Sequence, residues 1–176
     1  ILPNQDVYVA KGIGWNLTPV FPNVLRSLKY PWTIYGLLGQ RDAEREIVVS
    51  KILRGMGMEC TDAESIDMIE AIDSNSIACI ETATRFLTQK PVVLYTKMKS
   101  RYRVADLPLI GKVRSKRELA RIAEMNNINS HFSEWFACRL ASQIALLHVS
   151  GGVNDTMGWD NVTAAAEVTD FEWVTV

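Results

Sequence analysis

The chain has 176 residues, of which 48% are hydrophobic and 22% are charged, and its formal net charge is -1. This length and apolar fraction suit one globular domain and exclude a wholly disordered chain. No apolar run reaches the roughly 18 to 20 residues of a spanning helix, so we expect no integral membrane association. Three scattered cysteines without a C-x-x-C pair favour reduced thiols, which predicts an intracellular location, cytoplasmic or within a particle.

The N-terminal segment differs in composition from the rest of the chain. Residues 1–40 hold four charged residues, four of the six prolines and six aromatic residues. Because proline fixes φ and removes a backbone donor, regular structure is limited to a short strand over 7–10 and a short helix over 23–29. We interpret 1–40 as an extended arm that lies on an apolar surface of its own core or of a neighbouring subunit.

Apolar residues recur at helical spacing after the arm. Asp42 as N-cap, with glycines at 55 and 57 as the stop, predicts a helix over 42–56. Two more apolar stripes, over 66–72 and 77–87, predict two helices or one bent helix that Pro91 ends.

The later elements follow from caps and from a change of period. Ser115 and Glu118 match a capping box, which predicts that a helix begins there and ends around the asparagines from Asn126. The stripe over 132–147, closed by two glycines, predicts the central core helix, and alternation over 168–176 predicts a terminal strand.

Together these patterns predict a mainly α fold of five to six helices with a few short peripheral strands. We expect a single compact domain in which 41–176 form the helical core with its C-terminal strand, and 1–40 form the extended N-terminal arm.

The sequence carries no motif for catalysis, metal binding or a cofactor. His131 and His148 fall at opposite ends of one predicted helix, about 25 Å apart at 1.5 Å rise per residue, and therefore cannot share an ion. No nucleophile elbow, dinucleotide fingerprint or phosphate loop is complete. The acids Asp155, Asp160 and Glu167 lack the register of a calcium loop and are assigned to the surface. We predict no catalytic residue, no metal, no cofactor and no enzymatic activity.

Charge is segregated along the chain. Between Lys97 and Arg117 there are eight basic residues and one acid, whereas residues 55–84 hold seven acids and no base. Alternation over 92–104 predicts a strand with its cations on one face, and the later cations open a predicted helix. Such cations neutralise phosphates, and tyrosines between them stack on bases. The predicted nucleic-acid-binding residues are Lys97, Lys99, Arg101, Arg103, Lys112, Arg114, Lys116 and Arg117, with Tyr95 and Tyr102 for stacking.

The leading hypothesis is a self-assembling structural protein of the viral coat or nucleocapsid type that binds nucleic acid, single-stranded and without sequence preference. Its other partner is itself, because separate acidic and basic blocks favour a head-to-tail homo-oligomer. One alternative is a matrix-like or protein-interaction module that sets the basic face on an anionic membrane or a protein. Another is an enzyme whose acid and base residues are distant in sequence. A third interpretation is that the charge blocks only solvate one domain or pair within it.

Overall fold

The computed structural model describes residues 6–12, 38–70, 80–81, 84–85, 87–129, 131–154, 158–171 and 174–175. The elements with complete bounds are β1 (Val7–Lys11), β2 (Leu38–Gly39), α1 (Gln40–Gly55), β3 (Asp62–Met68), β4 (Pro91–Met98), a 3-10 turn (Val104–Asp106), α2 (Lys112–Met125), α3 (Phe132–Val149), β5 (Val153–Asn154) and β6 (Val174–Thr175). Residues 80, 81, 84, 85 and 87 are also helical, which agrees with the stripe predicted over 77–87. None of the described helices is long and apolar enough to cross a membrane.

The prediction of a mainly α fold with five to six helices is wrong. Across the described parts of the chain, three helices with complete bounds accompany a four-stranded antiparallel sheet, in which β4 pairs with β1, β2 and β3. The helix predicted over 66–72 is the main cause, since the chain over Asp62–Met68 is strand β3. Isoleucines three residues apart fit a helix stripe, but their β-branched side chains suit a strand equally, and pairing with β4 decides the outcome.

The chain divides into two compact units, each assembled from segments that are separate in sequence. The first comprises Ile1–Val9, Glu46–Ala63 and Lys97–Val176, and the second comprises Ala10–Arg45 and Glu64–Thr96. β1 confirms the strand predicted over 7–10. The helix predicted over 23–29 lies outside the described residues, and the division into an arm and a core remains a prediction.

The second unit is organised by backbone pairing around β4. β2 pairs antiparallel with the start of β4, where Leu38 lies opposite Val92 and Gly39 opposite Pro91. Gln89 ties the start of α1 to this edge, because its side chain donates to Asp42 at 2.9 Å and accepts from the Arg41 backbone at 2.8 Å.

The core of the first unit is built from segments that are far apart in the chain. One buried cluster contains Val49, Leu53, Met58, Cys60, Leu147, Val168 and Phe171. α1 confirms the helix predicted over 42–56, and α3 confirms the helix over the 132–147 stripe. The description of α3 as the central core helix is wrong, because its buried positions are only Gln143 and Leu147. The continuously buried stretch is instead 161–169. It makes single β-bridges to Cys60 and to Arg103, and one within itself between Val162 and Val168.

The start of α2 differs from the predicted one. α2 begins at Lys112 after Gly111, so Ser115 lies inside the helix and the predicted capping box does not form. The Ser115 hydroxyl donates to the carbonyls of Leu107 and Gly111, at 2.5 and 3.0 Å. Helix α2 ends at Met125 with Asn126 as its C-cap, as predicted. Of the terminal strand predicted over 168–176, only 174–175 form a strand among the described residues, where β6 pairs antiparallel with β5.

Candidate nucleic-acid interface

The basic stretch does not form the one-faced strand that its alternation predicts. β4 ends at Met98, and the chain turns over the next residues because buried side chains take up its backbone groups. The Lys99 N–H donates to a carboxylate oxygen of Glu167 at 2.8 Å, and the Tyr102 N–H donates to the Ser100 hydroxyl at 3.2 Å. The four cations predicted for one strand face are therefore separated from one another by this turn.

Three of the predicted phosphate contacts are ion-paired within the first unit. The N–O distances are 3.2 Å for Lys97 with Asp6, 2.7 Å for Lys99 with Glu59, and 2.8 Å for Arg103 with Asp170. The Glu59 carboxylate also contacts the Arg139 guanidinium. A phosphate would have to compete with these resident carboxylates, which weakens the case for Lys97, Lys99 and Arg103 as nucleic-acid contacts.

Four of the other five cations are exposed in the N-terminal half of α2. Lys112, Arg114, Lys116 and Arg117 lie in the first turns of α2, all exposed, with no acidic residue in the first turn. Within the described part of the chain, none of the four is in a salt bridge. The free N–H groups at a helix N-terminus carry partial positive charge, so cations there repel the helix end and an anion relieves that repulsion.

The two predicted stacking residues differ in their surroundings. Tyr102, in the first unit, is half-buried; the Arg101 guanidinium lies 4.8 Å from its ring centroid and donates to its hydroxyl at 2.7 Å. Tyr95, in the second unit, donates its hydroxyl to the Asp67 carboxylate, and this bond together with the Asp67 charge raises the pKa of Tyr95. Arg101 itself is exposed, so it joins the α2 cations as a candidate phosphate contact, and the stacking roles stay predictions.

Glu167, which the sequence assigned to the surface, is buried. Its side chain is 3% exposed, and one carboxylate oxygen also accepts from the Thr163 hydroxyl at 3.1 Å. Burial raises the pKa of Glu167, although the Lys99 and Ser100 backbone bonds and the Lys99 charge oppose that rise. A single acid in the otherwise uncharged run over 161–169 is the only sequence signal that pointed to it.

A small charged cleft surrounds this carboxylate in the first unit. One cavity has a volume of about 270 Å³ and an adjoining one about 110 Å³, and Arg54, Lys99 and Glu167 border both. The Arg54 guanidinium is itself held, 3.4 Å from Asp62 and 3.0 Å from the Cys60 carbonyl. If the chain were an enzyme, its substrate would bind in this cleft. The larger cavity is just below the usual volume of ligand sites, about 300–1,000 Å³.

The buried Cys60 is not a candidate nucleophile, and no metal site is found among the described residues. Burial raises the pKa of the Cys60 thiol to about 12, so it stays protonated and poorly nucleophilic at neutral pH. The part of the chain that the structure describes contains no group of three or more His, Cys, Asp or Glu side chains placed to hold a metal. His131 and His148 lie at opposite ends of α3, as predicted.

The buried Glu167 carboxylate predicts a specific pH dependence of stability. A carboxyl whose pKa is higher when folded than when unfolded binds more protons in the native state. Its contribution to stability is therefore largest below the unfolded pKa and is lost as pH rises through the folded pKa, by about 1.4 kcal/mol for each pKa unit between the two. Glu167→Gln removes this titration.

Urea unfolding of both proteins between pH 4 and pH 8 measures the effect. The free energy of unfolding of the native chain should fall relative to that of Glu167→Gln as the pH rises. A constant difference across this range would show that Glu167 titrates alike in both states.

The comparisons with known proteins add no relative. No protein-family model, no curated protein and no solved structure matches the chain.

Proposed function

We propose that this chain is a structural protein that binds single-stranded nucleic acid without sequence preference and assembles with copies of itself, as coat or nucleocapsid proteins do. Its nucleic-acid contacts lie on the α2 surface, which we define as Arg101, Lys112, Arg114, Lys116 and Arg117. The observation that carries the proposal is that these exposed cations have no carboxylate in salt-bridge contact among the described residues.

The chemistry of the α2 surface fits a phosphate backbone better than a specific small ligand. Lysine and arginine side chains spread over two helical turns neutralise successive phosphates and release their counterions. For single strands the logarithm of the binding constant falls with the logarithm of salt concentration by about 0.7 per phosphate contacted, so five contacts predict a slope of about -3.5. Arg101, held over Tyr102, adds a planar cation and an aromatic ring on which a base can stack.

Self-assembly is supported by exposed apolar side chains outside the α2 surface. Val48 and Ile52 on α1, and Met56 just after its end, follow one another at a spacing of four residues, and they are 55%, 49% and 46% exposed. Val149, at the end of α3, is 88% exposed. Burying such a ridge against another copy removes apolar area from water, which favours association. An intracellular location, in the cytoplasm or within a particle, belongs to the same proposal.

The test begins with the purified chain on a sizing column with absorbance read at two wavelengths. We expect large assemblies with excess nucleic-acid absorbance that high salt removes. Binding of a labelled oligouridylate is then followed by fluorescence anisotropy across a salt series, with the expected slope of about -3.5. A monomer with a protein-like spectrum and no oligonucleotide binding at low salt would overturn the proposal. Flotation with anionic phosphatidylserine vesicles, without oligonucleotide binding, would support the membrane alternative instead.

A further inference from the structure

A buried polar cluster joins α2 to the turn that follows β4. The Arg121 guanidinium donates to both carboxylate oxygens of Glu118, at 3.1 and 2.7 Å, and both side chains are largely buried. The Ser100 hydroxyl donates to the same carboxylate at 2.6 Å. Arg121 also donates to the Lys99 carbonyl. Side chains of α2 therefore hold the turn at two consecutive residues, and we call Ser100, Glu118 and Arg121 the clamp.

Attaching a helix through buried charged side chains carries a cost in desolvation free energy. Removing a carboxylate and a guanidinium from water costs several kcal/mol, and apolar side chains of similar volume often serve stability as well. The polar arrangement adds a fixed geometry. A bidentate ion pair with further hydrogen bonds to a hydroxyl and a carbonyl forms in only one position of the turn relative to the helix. The Glu118 carboxylate is held ionised: burial raises its pKa, but the bonds from Arg121 and Ser100 and the charges of Arg121 and Arg101 lower it overall.

Arg101 follows immediately after the clamped residues. Because the Ser100 hydroxyl is bonded to Glu118, the backbone of Arg101 is held next to this part of α2. Arg101 lies on the turn, whereas the other four cations of the α2 surface lie on the helix. One strand can contact both sets together only while the turn and the helix keep their relative position.

We infer that Ser100, Glu118 and Arg121 are positioning residues for nucleic-acid binding: the clamp keeps Arg101 in line with the α2 cations, so that one strand contacts both. This inference rests on the proposed function. The clamp side chains are largely buried and act through Arg101 rather than by touching the nucleic acid.

Glu118→Gln distinguishes a positioning role of Glu118 from a purely electrostatic effect of its charge on binding. The substitution removes a negative charge next to a phosphate-binding surface, so net electrostatics predicts tighter binding. Positioning predicts the opposite sign, because the amide cannot hold the guanidinium and the hydroxyl as the carboxylate does. We expect the affinity for the oligouridylate to fall about three- to tenfold at low salt, and the salt slope to shrink by about 0.7 as the Arg101 contact is lost.

Glu124→Gln is the matched control. Glu124 is exposed on the same helix, and the substitution makes the same change of charge away from the clamp. It should leave the slope unchanged and the affinity unchanged or slightly higher. Ser100→Ala breaks the clamp without any change of charge and should lower the slope as Glu118→Gln does. It keeps the test usable if Glu118→Gln unfolds.

A double-mutant cycle with Arg101→Ala tests whether the effect of Glu118→Gln on affinity and salt slope depends on Arg101, which a purely structural role of the clamp does not predict. If the clamp acts through Arg101, adding Glu118→Gln to Arg101→Ala produces no further loss of affinity or slope. The inference is overturned if Glu118→Gln binds as tightly as Glu124→Gln with an unchanged slope. The proposed function fails separately, if the native chain does not bind or if reversing the α2 charges has no effect.

Discussion

Arg114→Glu combined with Arg117→Glu should lower the affinity for single-stranded nucleic acid by about ten- to a hundredfold at low salt. The double change removes two phosphate contacts and places two anions where the strand lies. The salt slope should fall by about 1.4, from about -3.5 to about -2. Both side chains are exposed and have no salt-bridge partner in the described ranges, so the fold should be retained. Fluorescence anisotropy over a salt series, together with urea unfolding, checks both expectations.

Arg41→Glu combined with Lys51→Glu is the control for this pair. Both residues are exposed on α1, and the change of net charge is identical. A local phosphate-binding surface predicts that this control keeps most of the affinity and the full slope. Equal losses from the two double variants would show that only the overall charge matters, and the α2 surface would then have no special role.

The sequence located the basic residues but not their partners. Pairing of Lys97, Lys99 and Arg103 depends on Asp6, Glu59 and Asp170, each of which comes from a segment distant in the chain. Alternation of charge predicts which side chains share a strand face only while the strand continues. Here the Lys99 N–H donates to the buried carboxylate of Glu167, and the strand ends at Met98. Such a long-range bond leaves no local trace in the sequence.

The elements with strong local signals were predicted well. Paired glycines after a long apolar stripe located the end of α3 near Val149, and β1 lies where a short strand was expected. β3 was missed because isoleucines three residues apart fit the helical period, whereas only Ile66 of them lies in the strand, and its pairing with β4 is a long-range contact. The burial of 161–169 was missed for a related reason: alanines and threonines carry little apolar signal, yet they pack fully when the chain closes over them.

Phe171→Ala should destabilise the chain by about 3 to 5 kcal/mol, the usual cost of emptying the site of a buried phenylalanine. Phe171 is fully buried in the cluster that includes Leu53, Cys60 and Leu147, so its ring is enclosed by α1, α3 and the segment between α1 and β3. The preceding residue carries the carboxylate that pairs with Arg103. Loss of the ring therefore loosens both the core and the C-terminal segment that closes it.

Equilibrium urea unfolding measures this loss, and Trp159→Ala supplies an aromatic control, since Trp159 is 60% exposed and should change stability by only about 0.5 kcal/mol. A loss of about 3 kcal/mol or more is a large share of the roughly 5 to 15 kcal/mol that a typical domain has. Phe171→Ala should thus unfold at a clearly lower urea concentration, while its folded fraction keeps the native salt slope, because the α2 surface is untouched. If the two variants were equally stable, the C-terminal segment would not belong to the core of the first unit, and the burial of Glu167 beside it would lose its support.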